Sequence, residues 1–245
     1  MFKNNEYSVN AGDANGFPPA YSRHQHACLT LNMTDRLRLI QFPTPIIDII
    51  RQAILSSWRH GIQKEKNYAG AYEFKLRGTP WFGQGVEAVQ SRFMMMSVLS
   101  ALHHQGWYLL MSTDISKKQA DKDSLIFQLG TPPPPTSFFS VSFNELDKLR
   151  LIGAPPELIP AVQQILGTGA IQREEWVYSQ TAYQFKLHGY PWAGNGEEAV
   201  TSRIKLLNLL DCFTSYGWQL HASVDMSIGH DGSETDTWFF RRVQQ

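Results

Sequence analysis

The chain contains a copy of part of itself. Ala71 to Arg92 reads AYEFKLRGTPWFGQGVEAVQSR, and Ala182 to Arg203 reads AYQFKLHGYPWAGNGEEAVTSR. Aligned without a gap, 15 of the 22 positions are identical, against roughly one or two expected from average residue usage. An internal duplication constrains the fold more than any single motif, because each copy must form the same unit.

The segments around the repeat recur in the same order. A short apolar run at Ala27 to Leu31 corresponds to Phe138 to Phe143, and Leu37-Arg38-Leu39-Ile40 corresponds to Leu149-Arg150-Leu151-Ile152. Thr34-Asp35 in front of Arg36 are N-cap residue types, which predicts a short helix over 36–40. Pro45, and Pro155-Pro156 in the second copy, open a further helix; in the first it carries Ile46, Ile50 and Ile54 on one face. Tyr72, Phe74 and Leu76 alternate with charged residues, as do Tyr183, Phe185 and Leu187 with polar ones, the pattern of a half-buried strand. A glycine-rich loop leads into the longest helix, about 86–105 and again 197–216. Val89, Phe93, Met96, Leu99 and Leu102 read as the packed side of the first, and Val200, Ile204, Leu207 and Leu210 as the inward side of the second. Two strands close each unit. The reading is an α+β protein made of two β-α-α-β-α-β-β modules of roughly one hundred residues. Each holds a mostly antiparallel sheet with its helices on one face, and the two form a pseudo-twofold tandem. The expected divisions are a flexible tail at 1–24, a first repeat at 25–130, a proline-rich linker at 131–137 and a second repeat at 138–245.

Composition removes several function classes. Of 245 residues, 22 are Lys or Arg and 22 are Asp or Glu, so no net field draws the chain to nucleic acid. No uninterrupted apolar run suits a transmembrane helix, and the N-terminus lacks a signal-peptide core. Cys28 and Cys212 do not correspond between the copies and have no metal-ligand spacing, which fits two reduced thiols. These features predict a cytoplasmic or nuclear protein whose partner is another protein. No cofactor is implied.

Gly83-x-Gly85 before a helix invites comparison with phosphate-binding turns. Glu87 in the first helical turn, and Glu197 with Glu198 in the second copy, would repel a phosphate and suit the helix dipole instead. No nucleophile with a base and orienting group recurs in both copies, so no catalytic residue is assigned. Trp81 and Trp192, each in a glycine-rich loop, read either as exposed anchors for a partner or as lids folded onto the helix layer. Arg92 and Arg203 lie beside the apolar side of the long helix, with Asp114 and Asp225 at matching strand ends. These read as one buried Arg–Asp pair per unit, or as a polar pocket for a small anion. Two functions follow: a non-enzymatic adaptor working through the Trp loops and the groove between units, or a binder of a small anionic ligand or lipid headgroup, an enzyme included, in an Arg/Asp-lined pocket.

Overall fold

The computed structural model describes residues 25–83, 85–115, 121–226 and 236–243. The tail expected at 1–24 lies outside them. The first unit runs β1 (His26–Asn32), β2 (Arg36–Ile40), α1 (Thr44–Ser57), β3 (Ile62–Tyr68), β4 (Ala71–Leu76), α2 (Val86–His104), β5 (Trp107–Thr113) and β6 (Asp121–Leu129). The second runs β7 (Phe138–Asn144), β8 (Lys148–Ile152), α3 (Leu158–Leu166), β9 (Ile171–Val177), β10 (Ala182–Leu187), α4 (Glu197–Ser215), β11 (Trp218–Val224) and β12 (Thr237–Arg242). The sheets have orders β3-β4-β2-β1-β6-β5 and β11-β12-β7-β8-β10-β9, and every pairing is antiparallel. The tandem α+β duplication is therefore as the repeat predicted, but each module is β-β-α-β-β-α-β-β.

Two elements differ from the sequence reading. Residues 36–40 are a strand, not a helix: Leu37 and Leu39 point into the core while Arg36 and Arg38 point out, a period of two. Thr34 and Asp35 shape the turn between β1 and β2, where Met33 has a φ of 53°. The second difference is β3 and its counterpart β9, edge strands too polar on both faces to show alternation.

Within the first unit, Leu29, Leu31, Leu37, Leu39, Phe74 and Leu125 share the inner sheet face and meet Ile46, Ile50 and Ile54 of α1 in one core. Gly106 ends α2 at a φ of 80°, and a Cβ there would lie 2.4 Å from the Gly130 carbonyl oxygen, so only glycine fits. Thr131 to Ser137, which carries the four prolines, is pinned at both ends. Tyr108 donates to the Thr131 carbonyl at 2.6 Å, the Thr136 amide donates to His104 Nε2 at 2.9 Å, and the Thr136 hydroxyl donates to the Arg242 carbonyl at 2.6 Å.

The corresponding strands β5 and β11 meet across the units, but the helix-to-sheet contact is one-sided, where twofold packing would make it reciprocal. The outer face of the second sheet lies on α2: Val89 clusters with Ile152 and Ala182, and the Gly153 turn approaches the Met96 methyl and the Phe93 ring. Phe138, Ala222, Val224 and Phe239 join the first unit's core. Between these larger residues the receiving face carries small side chains, Ser140, Ser142 and Ala182, all buried, which lets a helix approach closely. α2 is thus enclosed between two sheets and buried on nearly every side.

Candidate interaction surface

α4 is the second copy of α2, and its surroundings end where those of α2 continue. Its inner residues Leu209 and Phe213 fill the second core, with Leu206 and Leu210 packed against it. Its outer side carries Val200, Ile204 and Leu207 at 60 %, 52 % and 60 % exposure. These were expected to face inward. The helical period does single them out as an apolar stripe, but the layer that buries the equivalent Val89, Phe93 and Met96 has no equivalent over α4 among the described residues. Burying an aliphatic side chain of this size stabilises by roughly 1.5–3 kcal/mol, so the stripe leaves several kcal/mol of hydrophobic free energy unused. Arg203, Asp211, Glu197 and Glu198, all exposed, surround it.

The tryptophans are structural lids. Trp81 is fully buried, and its Nε1 donates to the Arg36 carbonyl at 3.0 Å. Trp192 is half-buried, donates to the equivalent Lys148 carbonyl at 3.0 Å, and stands edge-on to Phe143 at 5.0 Å. Both tie the glycine-rich loop to the β-hairpin beneath it, so neither projects as an anchor.

The expected pairing of Arg92 with Asp114 and Arg203 with Asp225 is replaced by a different arrangement. Arg92 is wholly buried between the units and donates from Nη1 to the Ala88 carbonyl at 3.0 Å. Burial, then the nearby Arg150 guanidinium, pull its pKa down to about 10, against the opposing pull of Asp225 from the second unit. Asp225 itself accepts from Lys122 Nζ at 3.3 Å, and its backbone amide donates to Asp123 Oδ2 at 2.8 Å, so it links the units through β6. Arg203 is exposed and donates to the Ala199 carbonyl at 3.2 Å, and Asp114 is exposed. The physical reason is the one-sided packing: the same arginine position is covered in α2 and open in α4.

Two further features escaped the sequence reading. Glu73, buried on the outer face of the first sheet, accepts from Arg36 Nη1 at 2.5 Å and Arg38 Nε at 2.8 Å. Burial alone would raise its pKa, but the two arginines hold it below the usual carboxylate value. The second is His103 and His221, whose rings meet at 5.2 Å beside Phe138 between the units. The carboxylate does not recur, since Gln184 takes its place and accepts from Arg150 Nε at 2.8 Å, and the histidines correspond to Thr214 and Leu110, so the repeat marked neither charge nor ring.

An open depression of about 490 Å³ is walled by Phe138, Gly153, Pro155, Glu157, Trp218 and Arg242, and Arg92 does not line it. No helix among the described residues is long and apolar enough to cross a membrane. Compared with known proteins, the chain matches one domain-family model twice, over residues 25–128 and 137–241. No curated protein and no solved structure matches it. Since the two matches span most of the chain, it belongs to that domain family, as a member carrying two copies in tandem.

Proposed function

We propose that the chain is a non-enzymatic protein-interaction module whose working surface is the outer face of α4. The observation that carries this reading is the contrast between equivalent helix faces: Val89 and Met96 are buried at 1 % and 7 %, while Val200 and Leu207 stand at 60 %. A contiguous apolar stripe rimmed by charges is the anatomy of a protein contact rather than of a solvated helix. The test is affinity capture with the full chain beside Ile204→Glu and Leu207→Glu. A partner held by the wild type and lost by both variants, at unchanged melting temperature, supports the adaptor reading. Equal capture by all three removes it.

A second reading is favoured by one observation. Arg92 Nε is buried without a hydrogen-bond partner among the described residues, and Arg150 is close enough to depress it. Two guanidiniums so placed suit a small anion. Thermal-shift measurement with inorganic phosphate and inositol phosphates checks this reading: no shift, or a shift that survives Arg92→Met, argues against it.

A further inference from the structure

We infer that the chain associates head to tail with a second copy of itself, the outer face of α4 docking on the outer face of the partner's first sheet. This rests on the α4 reading above and names its occupant. The template is inside the molecule. The long helix of the first unit is covered by the outer face of a sheet of the same family, through Val89 on Ile152 and Ala182 and through Met96 at the Gly153 turn. α4 presents Val200 and Leu207 at those two positions. The sheet face that would continue the series belongs to the first unit; Ala71, Glu73 and Ser124 on it are buried, and its apolar exposure lies along β5.

That receiving face has the character the contact needs. Strand registers place Met111 and Ile126 opposite one another on the outer face, as Ala222 and Phe239 are in the second sheet, where both are buried. In the first sheet Met111 is 54 % exposed, and the neighbouring Leu110 and Ile115 are exposed with it. Apolar surface thus remains at both ends of the two-unit stack, at the positions that its own internal interface buries. Charge agrees. The start of α2 lies beside the β9–β10 turn, where a Cβ on Gly85 would sit 3.8 Å from the Tyr178 hydroxyl. By the same docking, the start of α4, with Glu197 and Glu198 in its first turn, meets the β3–β4 turn flanked by Lys66 and Tyr68. The face is bulkier at Met111, where the second sheet has Ala222, and at Gln41, where it has Gly153; both side chains are exposed.

An interface between two different faces is heterologous, so it closes into a ring or extends as a filament. The decisive experiment uses two full-length variants, Leu207→Glu to spoil the helix face and Met111→Glu to spoil the sheet face. By sedimentation velocity over roughly two decades of concentration, the wild type should grow in mass with concentration. Each variant alone should associate about a hundredfold more weakly, the loss typical of a central interface residue. Mixed together, the two variants should form a one-to-one dimer and stop, because one good helix face and one good sheet face remain. A monomeric wild type overturns the proposal while leaving the adaptor reading intact, provided α4 variants still lose a different partner. Loss on Leu207→Glu with none on Met111→Glu overturns it in favour of a symmetric α4–α4 contact. Unchanged melting temperatures keep misfolding out of the comparison.

Discussion

Val89 and Val200 hold the same place in the two copies of the long helix, yet only Val89 is covered, by Ile152 and Ala182 of the other unit. One sequence pattern thus sits in two environments. The difference comes from what is stacked on the helix, not from the helix itself.

That relationship predicts opposite responses to the same truncation. Met96→Ala should destabilise by about 2–5 kcal/mol, because it removes buried methylenes and leaves a cavity beneath Gly153. Leu207→Ala, at the equivalent position of α4, should lie within about 0.5 kcal/mol of wild type in the monomer. Urea denaturation of both at low protein concentration checks this. Comparable losses in the two would mean that α4 is covered after all.

The buried lid predicts that Trp81→Ala loses about 3–5 kcal/mol, with the Arg36 carbonyl left without its indole donor. Trp192→Ala, half-buried over Phe143, should lose less. A melting temperature unmoved by Trp81→Ala would restore the anchor reading that burial now argues against.

Arg92 makes the third case. Its pKa is pulled down to about 10, below the ordinary guanidinium value, chiefly by burial, so the buried charge opposes folding at neutral pH. Methionine keeps most of the aliphatic volume without the charge. Arg92→Met should therefore be neutral or stabilising. A loss above about 2 kcal/mol would instead show that the charge is needed where it is.

How much of this was legible beforehand follows from which signals are local. The repeat at Ala71 and Ala182 was visible, and with it the strand into glycine loop into helix, because alternation and helical period are written within one element. Arg36 to Ile40 misled because Thr34-Asp35 looks like a cap, although Arg-Leu-Arg-Leu-Ile itself alternates. β3 was missed because Gln63, Lys64, Glu65, Lys66 and Asn67 leave an edge strand no apolar face to show. The period of Val200, Ile204 and Leu207 marks an apolar stripe but not its direction, since a period cannot say which apolar face will find a cover. The electrostatic pull of the other unit's Asp225 on Arg92 depends on that same stacking. It is a relation between units, and nothing within one copy encodes it.

The last prediction concerns acid. His103 and His221 are packed ring against ring between the units, and His103 Nδ1 and His221 Nε2 are buried without hydrogen-bond partners among the described residues. Burial, followed by Arg241 and His104, takes His103 down to about 4; burial, followed by His103 and Arg241, takes His221 down to about 3. Both values are below the ordinary 6.5, so the folded state holds the neutral rings and the unfolded chain takes up protons first. Their contribution to stability is complete above pH 6.5 and is lost as pH falls below it. By pH 5 each histidine should have cost about 2 kcal/mol. His221→Leu, which places at this position the residue found at Leu110 in the first unit, should remove about half of that slope and leave neutral-pH stability little changed. Urea midpoints at pH 7.5, 6 and 5 for both proteins make the comparison. A wild type equally stable at 7.5 and 5 would show that these rings are hydrated and that the seam between the units is open to water.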